Sequence, residues 1–272
     1  MTGILIDRDL CTKCGICSQV CPVGIVEPGD ETRLPRVRDG SAPFCISCGH
    51  CEAMCPPGAL ILADGSDEPR GNIVPDDAVS PETLGLFLKS RRSVRVFRKD
   101  PVPRETIASI LDIARYAASG GNGQPVEWLV LHDPSGVRKV AGLTIDWMRT
   151  LAGSGHPMAG YIPALVSGWD AGLDPICRNS PHLLIPHIPA GSPIAPVDAL
   201  IALTHFDIAA PAYGVGTCWA GFVAMALRES RPLQEFLGLP EGRVPAYAMM
   251  FGYPRYRPVR IPHRKPLRVT WR

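Results

Sequence analysis

The chain has 272 residues, of which 46% are hydrophobic and 20% are charged. This balance is typical of a globular protein that is long enough for two modest domains. No stretch reaches the roughly 18 apolar residues of a membrane-spanning helix, and residues 1–10 lack the pattern of a signal peptide. The net charge is only +2, and no basic stripe is interleaved with aromatic residues. We therefore expect a cytoplasmic protein that binds neither membrane nor nucleic acid.

Eight of the ten cysteines fall into two copies of the pattern C-x2-C-x2-C-x3-C-P. Each copy is followed by a short apolar stretch, so residues 1–63 are predicted to form one duplicated domain. The same run of cysteines holds cubane iron–sulfur clusters in bacterial ferredoxins, and it predicts two 4Fe-4S clusters here. The two copies consist of Cys11, Cys14, Cys17 and Cys21, and of Cys45, Cys48, Cys51 and Cys55.

The fourth cysteine of each copy is expected to point toward the other cluster, so the ligand sets are predicted to be crossed. One set is Cys11, Cys14, Cys17 and Cys55, and the other is Cys45, Cys48, Cys51 and Cys21. Gly15 and Gly49 follow the second cysteine of each copy, where a side chain would crowd the cluster. A pair of zinc sites is the alternative, but the cysteine pairs of zinc sites are usually separated by a longer loop.

The charge is distributed unevenly along the chain. Residues 1–70 contain ten acidic and six basic residues, whereas the remainder contains 16 acidic and 22 basic residues. An acidic cluster-binding domain on a basic body suits electron transfer, although ordinary solvated surface explains the same distribution.

Residues 64–80 are polar, contain Gly and Pro and show no periodicity, which predicts a linker. Ser80 and Pro81 then supply an N-cap and a first-turn proline, so we expect a helix that ends near Ser90. Further predicted helices are Pro103–Ala118, Val137–Ala152 and Asp198–Tyr213, and predicted strands are Trp128–Leu131, Leu183–Ile185 and Ala246–Phe251. Helices thus dominate a second domain that spans residues 81–272.

The segment Gly153–Pro196 is rich in Gly, Pro and His and is predicted to be largely irregular. Irregular stretches of this length are usually functional, which indicates a substrate lid. Its histidines are interpreted as surface residues, with proton donation to a substrate as the alternative; they are His156, His182 and His187. Further candidate residues in the segment are Tyr161, Trp169 and Asp174.

Four motifs in the second domain carry residues that suit a phosphate-bearing ligand. The run Arg91–Arg95 (RRSVR) offers guanidinium forks for phosphate oxygens, although a solvated charge run is the alternative. The loop Ser119–Pro125 (SGGNGQP) combines glycines that permit close approach with Asn and Gln side chains. The turn Tyr213–Phe222 is glycine-rich, and the tail Arg255–Arg272 contains seven Lys/Arg and no acidic residue.

Together and in this order, the four motifs resemble the FMN-dependent nitroreductase superfamily over about residues 82–267. With its N-terminal domain, the chain resembles the ferredoxin–nitroreductase fusions. The resemblance implies an α+β fold, in which a two-cluster ferredoxin-like domain precedes a small mixed sheet wrapped by helices. It also implies FMN at the interface of a homodimer.

The resemblance implies roles for individual residues. Arg91, Arg92 and Ser93 would hold the FMN phosphate and ribityl chain, and Arg264 and Lys265 would complete the phosphate site. Residues implied at the flavin ring are Arg95 near the N1/O2 edge, the backbone amide of Gly221 facing N5, and Cys218, Trp219 and Ala220 lining the approach. Residues implied to reach the flavin from the partner subunit are Ser119, Gly120 and Asn122, and Gln124 is also placed among the cofactor-binding residues.

The sequence departs from the family pattern at three positions. Ala118 stands where Pro is common, Val126 where an aromatic residue is frequent, and Ala220 where some members carry an acidic residue. These departures bear more on the identity of the substrate than on the binding of FMN. The two cysteines outside the cluster-binding runs, Cys177 and Cys218, are interpreted as small buried hydrophobic residues.

The expected function is an iron–sulfur flavoprotein oxidoreductase. Single electrons enter at the clusters, and FMN allows the two-electron reduction of a small organic acceptor such as a nitroaromatic, a quinone or an activated double bond. The external donor is an external ferredoxin or NAD(P)H. Two alternatives are an NAD(P)H-dependent flavin reductase with structural clusters, and a non-catalytic electron carrier or redox sensor.

Overall fold

The computed structural model describes residues 3–63, 71, 73 and 79–272. The chain divides into two compact units: Met1–Ala78 with Gly121–Gly123, and Val79–Gly120 with Gln124–Arg272. Most of the linker predicted at residues 64–80 lies outside the described residues. The boundaries predicted at residues 63 and 81 therefore remain predictions.

The first unit is built from short elements around the two cysteine motifs. Its strands are β1 Gly3–Ile6, β2 Val26–Glu27, β3 Arg36–Val37 and β4 Leu60–Ala63, and its helices are α1 Ile16–Gln19 and α2 His50–Ala53. β1 pairs antiparallel with β4, and β2 pairs antiparallel with β3. The two helices begin at equivalent positions of the two motifs, as the internal duplication predicts.

The second unit is a five-stranded sheet with helices around it. Its helices are α3 Pro81–Ser90, α4 Arg104–Ala114, α5 Pro134–Thr150, α6 Ile162–Asp170, α7 Ala195–Ala209, α8 Gly221–Glu229 and α9 Arg231–Leu237. Its strands are β5 Glu127–Leu131, β6 His182–Pro189, β7 Gly216–Trp219, β8 Arg243–Pro245 and β9 Met249–Gly252. The order is β5-β6-β9-β7, and β8 also pairs with β6. The predicted α+β class is confirmed, although every strand pairing among the described residues is antiparallel rather than mixed.

Local sequence explains where several helices begin. The side chains of Ser80, Asp133 and Ser230 each accept a hydrogen bond from a backbone N–H in the first turn of α3, α5 and α9. Each of the three helices also carries a proline in its first turn, where the missing N–H costs nothing. The helix predicted after Ser80 is therefore confirmed over Pro81–Ser90.

Strand β6 is the centre of the second unit, because seven of its eight residues are buried. Its side chains alternate between the two faces of the sheet. Leu183 and Ile185 pack in the hydrophobic cluster that includes residues of α5 and α8, whereas Leu184 packs with residues of α4 and α7. The sheet is thus covered on both faces.

The prediction that Gly153–Pro196 is largely irregular is wrong, and its role as a substrate lid remains a prediction. The segment contains helix α6 and all of the buried strand β6. The short strand predicted at Leu183–Ile185 is the middle of this longer strand. Prolines 181, 186 and 189 lie in or beside β6 and disguise it, because proline is rare in central strands.

Other elements differ from prediction mainly at their ends. The helix predicted to reach Ala118 ends at Ala114, and the one predicted at Asp198–Tyr213 starts at Ala195 and tightens to a 3-10 turn after Ala209. The glycine-rich turn contains strand β7 and opens helix α8. None of the helices in the described part of the chain has the length and apolar composition to cross a bilayer.

Candidate functional site

Two cavities in the first unit are each lined by four cysteines. One is lined by Cys11, Cys14, Cys17 and Cys55, and the other by Cys45, Cys48, Cys51 and Cys21. Each cavity thus takes three cysteines from one motif and the fourth from the other. The structure brings together the same two sets that the sequence predicts as cluster ligands.

The lining of the two cavities fits an iron–sulfur cluster. Apolar residues such as Ile6 and Leu60 line the first cavity, and Ile4 and Leu62 line the second. Within residues 3–63, 71, 73 and 79–272, no three His, Cys, Asp or Glu side chains form a site for a single metal ion. Four thiols in one apolar cavity are the kind of ligand set that holds a 4Fe-4S cluster.

Gly15 and Gly49 occupy equivalent turns just before α1 and α2. Each has a φ of 75°, in the left-handed region that favours glycine. A Cβ atom built on Gly49 meets no protein atom within 4 Å, and one on Gly15 comes no closer than 3.9 Å to its nearest neighbour. The protein thus requires glycine here for its backbone conformation, and crowding of a cluster remains a prediction.

Burial raises the pKa of two of the motif thiols. The pKa of Cys51 rises to about 11, and that of Cys17 is also raised, in both cases mainly through desolvation. Iron binds thiolates, so these two residues must lose their protons when a metal cluster is bound.

The segment Gly121–Gly123 belongs to the first unit. The side-chain amide of Asn122 donates hydrogen bonds to the carbonyl oxygens of Ile46, at 3.1 Å, and Ser47, at 3.0 Å. These carbonyls lie between Cys45 and Cys48. Asn122, predicted to reach a flavin, therefore contacts the backbone of the second cysteine motif.

The charges of two other arginines act on Arg92 in the second unit. Desolvation and then the nearby charges of Arg264 and Arg91 lower the pKa of Arg92. Nη1 of Arg91 and Nε of Arg92 are buried without a hydrogen-bond partner among the described residues. Buried guanidinium donors without partners suit an anion with several oxygens, such as a phosphate. Lys265, predicted to assist, lies exposed beside Arg264 in the chain.

Asp207 on α7 is a buried carboxylate that the sequence analysis missed. It accepts hydrogen bonds from the hydroxyl of Thr217 and, at 3.0 Å, from Nε1 of Trp219. Its Oδ2 atom also lies 3.5 Å from Nη1 of Arg91, close enough for an ion pair but without hydrogen-bond geometry. Asp207 thus connects Arg91 to β7.

The Arg91–Arg95 run lies directly beside β7. The backbone N–H of Val94 donates to the carbonyl of Thr217 at 2.8 Å. A Cβ atom on Gly216 would approach Val94 Cγ2 to an impossible 2.4 Å, so glycine is required for this contact. Two of the predicted motifs, far apart in sequence, are therefore held side by side.

The Cys218 thiol is buried at the junction of these two motifs. Burial raises its pKa, and the opposing influences are the cations Arg95 and Arg178 and a hydrogen bond with the Ser93 hydroxyl. Ser93 and Arg95 thus lie near enough to Cys218 to affect its thiol, and their roles at a flavin remain predictions. Ala220 caps α8, and Gly221 is the first residue of that helix, so its backbone N–H is not used within the helix.

The remaining predicted loop residues form a group of their own with Asp198 on α7. The backbone N–H of Gly120 donates to Oδ1 of Asp198 at 3.1 Å, and that of Gln124 donates to the Ser119 hydroxyl at 3.0 Å. Gln124 has a φ of 43°, which is uncommon for a residue with a side chain. The loop conformation is thus fixed by its own polar contacts.

His182 and His187 are not surface loop residues, because both are buried in β6. The His182 ring accepts from the Val102 N–H at 2.8 Å, lies 2.9 Å from the His132 carbonyl and stacks on the His132 ring at 4.5 Å. Burial and His132 lower its pKa to about 4. His187 accepts a hydrogen bond from Arg243, and burial lowers its pKa too. Both therefore serve the fold as neutral rings.

The other candidates of that segment are explained by local contacts. Asp174 accepts hydrogen bonds from the backbone N–H groups of Ile176, Cys177 and Asn179. Trp169 is covered by the Arg138 guanidinium, 3.7 Å from the ring centre. Tyr161 is exposed, and His156 accepts from the Met158 N–H. Cys177 is fully buried, and desolvation raises its pKa far above the usual range, as expected of an inert core thiol.

Comparison with known proteins identifies the class of both units. Residues 88–253 match the nitroreductase family, and residues 10–60 match a 4Fe-4S dicluster domain. Because the first match covers more than half of the chain, the protein belongs to the nitroreductase family. It is a fusion of a 4Fe-4S dicluster domain with a nitroreductase domain, and the predicted class of enzyme, a nitroreductase-type oxidoreductase, is confirmed.

Individual relatives are distant. A protein of Archaeoglobus fulgidus described as a putative NADH dehydrogenase/NAD(P)H nitroreductase is 26% identical over 62% of this chain and 84% of its own. FMN reductase [NAD(P)H] of Bacillus subtilis is 29% identical over 64% of this chain and 67% of its own. The crystal structure of a nitroreductase with bound FMN from Desulfitobacterium hafniense aligns with a TM-score of 0.55 and 19% identity, over 67% of this chain and 94% of its own. This last similarity shows the fold.

Proposed function

We propose that the protein is an FMN-dependent oxidoreductase that receives single electrons through two 4Fe-4S clusters and reduces a small organic acceptor by two electrons. Acceptors of this class include nitroaromatics, quinones and activated double bonds. The observation that carries the flavin is the pair of buried donors, Nη1 of Arg91 and Nε of Arg92, which have no hydrogen-bond partner among the described residues and suit a phosphate. When bound, FMN supplies the exchange between one-electron and two-electron chemistry that a cluster alone lacks.

The residues that would hold FMN follow from this phosphate site. Arg264 and Lys265 complete it beside Arg91 and Arg92, and Ser93 binds the ribityl chain. Arg95 supplies a positive charge that favours a reduced, anionic ring. The backbone N–H of Gly221 faces the reactive edge, and the wall of the site consists of Cys218, Trp219 and Ala220.

Homodimer formation would complete the flavin site, with Ser119, Gly120, Asn122 and Gln124 contributed by the partner subunit. Exposed apolar side chains support this proposal. Val259 and Trp271 in the C-terminal tail are 92% and 89% exposed, and Val197 on α7 is 59% exposed. These exposed apolar side chains lie on the C-terminal tail and on α7, and a partner subunit would cover them.

The two thiol-lined cavities would each hold one cluster, ligated by the crossed sets described above. Their thiolates and the apolar residues around them hold the clusters and limit contact with water. Because eight reduced thiols are needed for this purpose, we infer that the protein works in the cytoplasm, where thiols stay reduced. The external electron donor is then a ferredoxin or NAD(P)H.

A second candidate function is an NAD(P)H-dependent flavin reductase in which the clusters are structural. The names of the two relatives favour it, since both contain NAD(P)H as the reductant. In that case NAD(P)H would reduce the flavin directly, without passing electrons through the first unit. A pure electron carrier or redox sensor would need no organic acceptor at all.

The test is an anaerobic reoxidation experiment. The protein is reconstituted with iron, sulfide and FMN, reduced, and freed of excess reductant. A nitroarene, a quinone, an enone and an aryl halide are then added separately while the flavin absorbance is followed. Fast reoxidation by one class supports the reductase and names its chemistry. No reoxidation by any of them, with rapid exchange to an added ferredoxin, supports a carrier instead.

A further inference from the structure

A wide groove in the second unit is lined mainly by cations. Its volume is about 730 Å³, within the range of small-molecule sites. Four of its lining residues are basic, namely Arg95, Arg98, Lys99 and Arg178, and one, Asp174, is acidic. The groove therefore has a positive potential that selects its ligands by charge.

Three of these cations have no carboxylate partner within the described part of the chain. Arg98 pairs with Asp100, at 2.7 Å from Nε, and its guanidinium lies over the Tyr253 ring. No such ion pair exists for Arg95, Lys99 or Arg178 among the described residues. Unpaired cations beside one another repel, and an anionic ligand would remove that repulsion.

The acidic residue of the groove directs its oxygens at the backbone rather than at the cations. Asp174 is buried and accepts three backbone N–H groups, at distances of 2.8 to 3.1 Å. These contacts hold Arg178 and Asn179 at φ values of 56° and 51°, a conformation that side chains rarely adopt. Asp174 thus fixes the turn from which Arg178 projects.

The groove begins at the site proposed for the flavin. Arg95 and Arg178 are both close enough to Cys218 to influence its thiol, and Cys218 belongs to the strand that lies beside the Arg91–Arg95 run. The rest of the lining includes the apolar side chains of Phe97, Leu173 and Pro181. An apolar wall beside cations suits a ligand with a flat carbon skeleton and an acidic group.

We infer that Arg178 is a specificity-determining residue and that the groove binds organic acceptors bearing a carboxylate, preferably on an aromatic ring. Arg178 forms the anchor for the carboxylate together with Lys99, while the apolar wall packs against the ring. This inference rests on the proposed function, because it places the groove beside a flavin that reduces such acceptors.

The experiment compares 4-nitrobenzoate with its uncharged methyl ester in the FMN-loaded, cluster-loaded protein. In the wild type we expect the KM for the acid to be at least about tenfold below that for the ester. In Arg178→Gln the KM for the acid should rise about tenfold or more, with the ester and kcat unchanged within about twofold. The matched control is Arg231→Gln on α9, where the side chain is 88% exposed. This variant should leave the KM values for the acid and for the ester unchanged.

A binding measurement separates this inference from the proposed function. Displacement of a bound benzoate probe is measured with the oxidised protein, which requires no turnover. Suppose that neither nitro compound is reduced but that Arg178→Gln weakens benzoate binding. The proposed reductase function would then be wrong, whereas the inferred carboxylate site would be supported. Equal KM values for acid and ester, or an equal effect of Arg178→Gln on both, would overturn the site. Tighter displacement by adenosine 2′,5′-bisphosphate than by benzoate would also overturn it, because the groove would then bind a donor's phosphate.

Discussion

The buried carboxylate of Asp207 lies 3.5 Å from the Arg91 guanidinium while it accepts hydrogen bonds from the side chains of Thr217 and Trp219. One residue of α7 thereby fixes the start of the arginine run and two residues of β7. Thr217 and Trp219 already donate hydrogen bonds to the Asp207 carboxylate, so Arg91 is not its only partner. Nη1 of Arg91 and Nε of Arg92 nevertheless have no hydrogen-bond partner among the described residues.

Replacing Asp207 by Asn should destabilise the second unit by about 3 kcal/mol, because it leaves the Arg91 cation without its buried counter-charge. All five tryptophans lie at or after residue 128 and so report on this unit alone. Urea unfolding followed by tryptophan fluorescence measures the change. The control is Asp146→Asn, whose partner Arg149 is on the surface, and it should cost under about 1 kcal/mol. Equal costs for both variants would show that Asp207 has no special role.

A methyl group at Gly216 should weaken FMN binding without removing any polar contact. In Gly216→Ala the new Cβ pushes against Val94, displacing the Arg91–Arg95 run from β7. We expect the Kd for FMN, measured by quenching of flavin fluorescence, to rise at least about tenfold. Overpacking of this kind also costs about 1–3 kcal/mol of stability. Gly155→Ala is the control, since its Cβ meets no atom within 4 Å. Unchanged FMN affinity would argue against the arginine run as the flavin site.

Thiol labelling should reveal the crossed cluster ligands. Cys14→Ala removes one ligand of the first cavity and should make its cluster labile under mild chelation. Mass spectrometry after alkylation should then show label on Cys11, Cys17 and Cys55, with Cys21 protected. The reciprocal variant, Cys48→Ala, should expose Cys45, Cys51 and Cys21. Label on Cys21 rather than Cys55 in the first variant would mean that each motif holds its own cluster.

The buried His182 predicts a loss of stability in acid. Its pKa is about 4 in the folded chain against 6.5 for an unperturbed histidine. Between these values the unfolded state binds a proton that the folded state does not, so stability falls as the pH drops through this window. Midway between the two pKa values, this one proton changes the free energy of unfolding by about 1.4 kcal/mol per pH unit.

We therefore expect His182→Gln to unfold with a shallower dependence on pH than the wild type between pH 4 and 6.5. The measurement is urea unfolding by tryptophan fluorescence at several pH values. His263→Gln in the exposed tail is the control and should keep the wild-type slope. If His182→Gln also keeps that slope, His182 is not the group responsible.

The grouping of the cysteines in the first unit could be predicted from the sequence, because their spacing follows a known motif. Metal ligands at fixed short spacings allow few arrangements, and the thiols do indeed line two cavities in crossed sets. Helix α3 was also predictable, since the Ser80 cap and Pro81 lie within one turn.

What the sequence could not reveal depends on contacts between distant residues. Asp207 sits in a helix whose pattern is otherwise apolar, and only the fold brings it to Arg91. Strand β6 contains prolines that local preferences place in loops, but its ladder to β5 and β9 overrides them. Arg178 lies in a segment that the sequence analysis interpreted as a lid. Only the folded chain places it with Arg95 in the lining of one groove.

The most direct test of the central claim is anaerobic reduction of bound FMN by reduced ferredoxin, followed by flavin absorbance. The wild type is compared with Cys11→Ser and Cys45→Ser, each loaded with the same amount of FMN. The account predicts rapid flavin reduction in the wild type and none in at least one of the two variants. Flavin reduction at the wild-type rate in both variants would contradict electron delivery through the clusters.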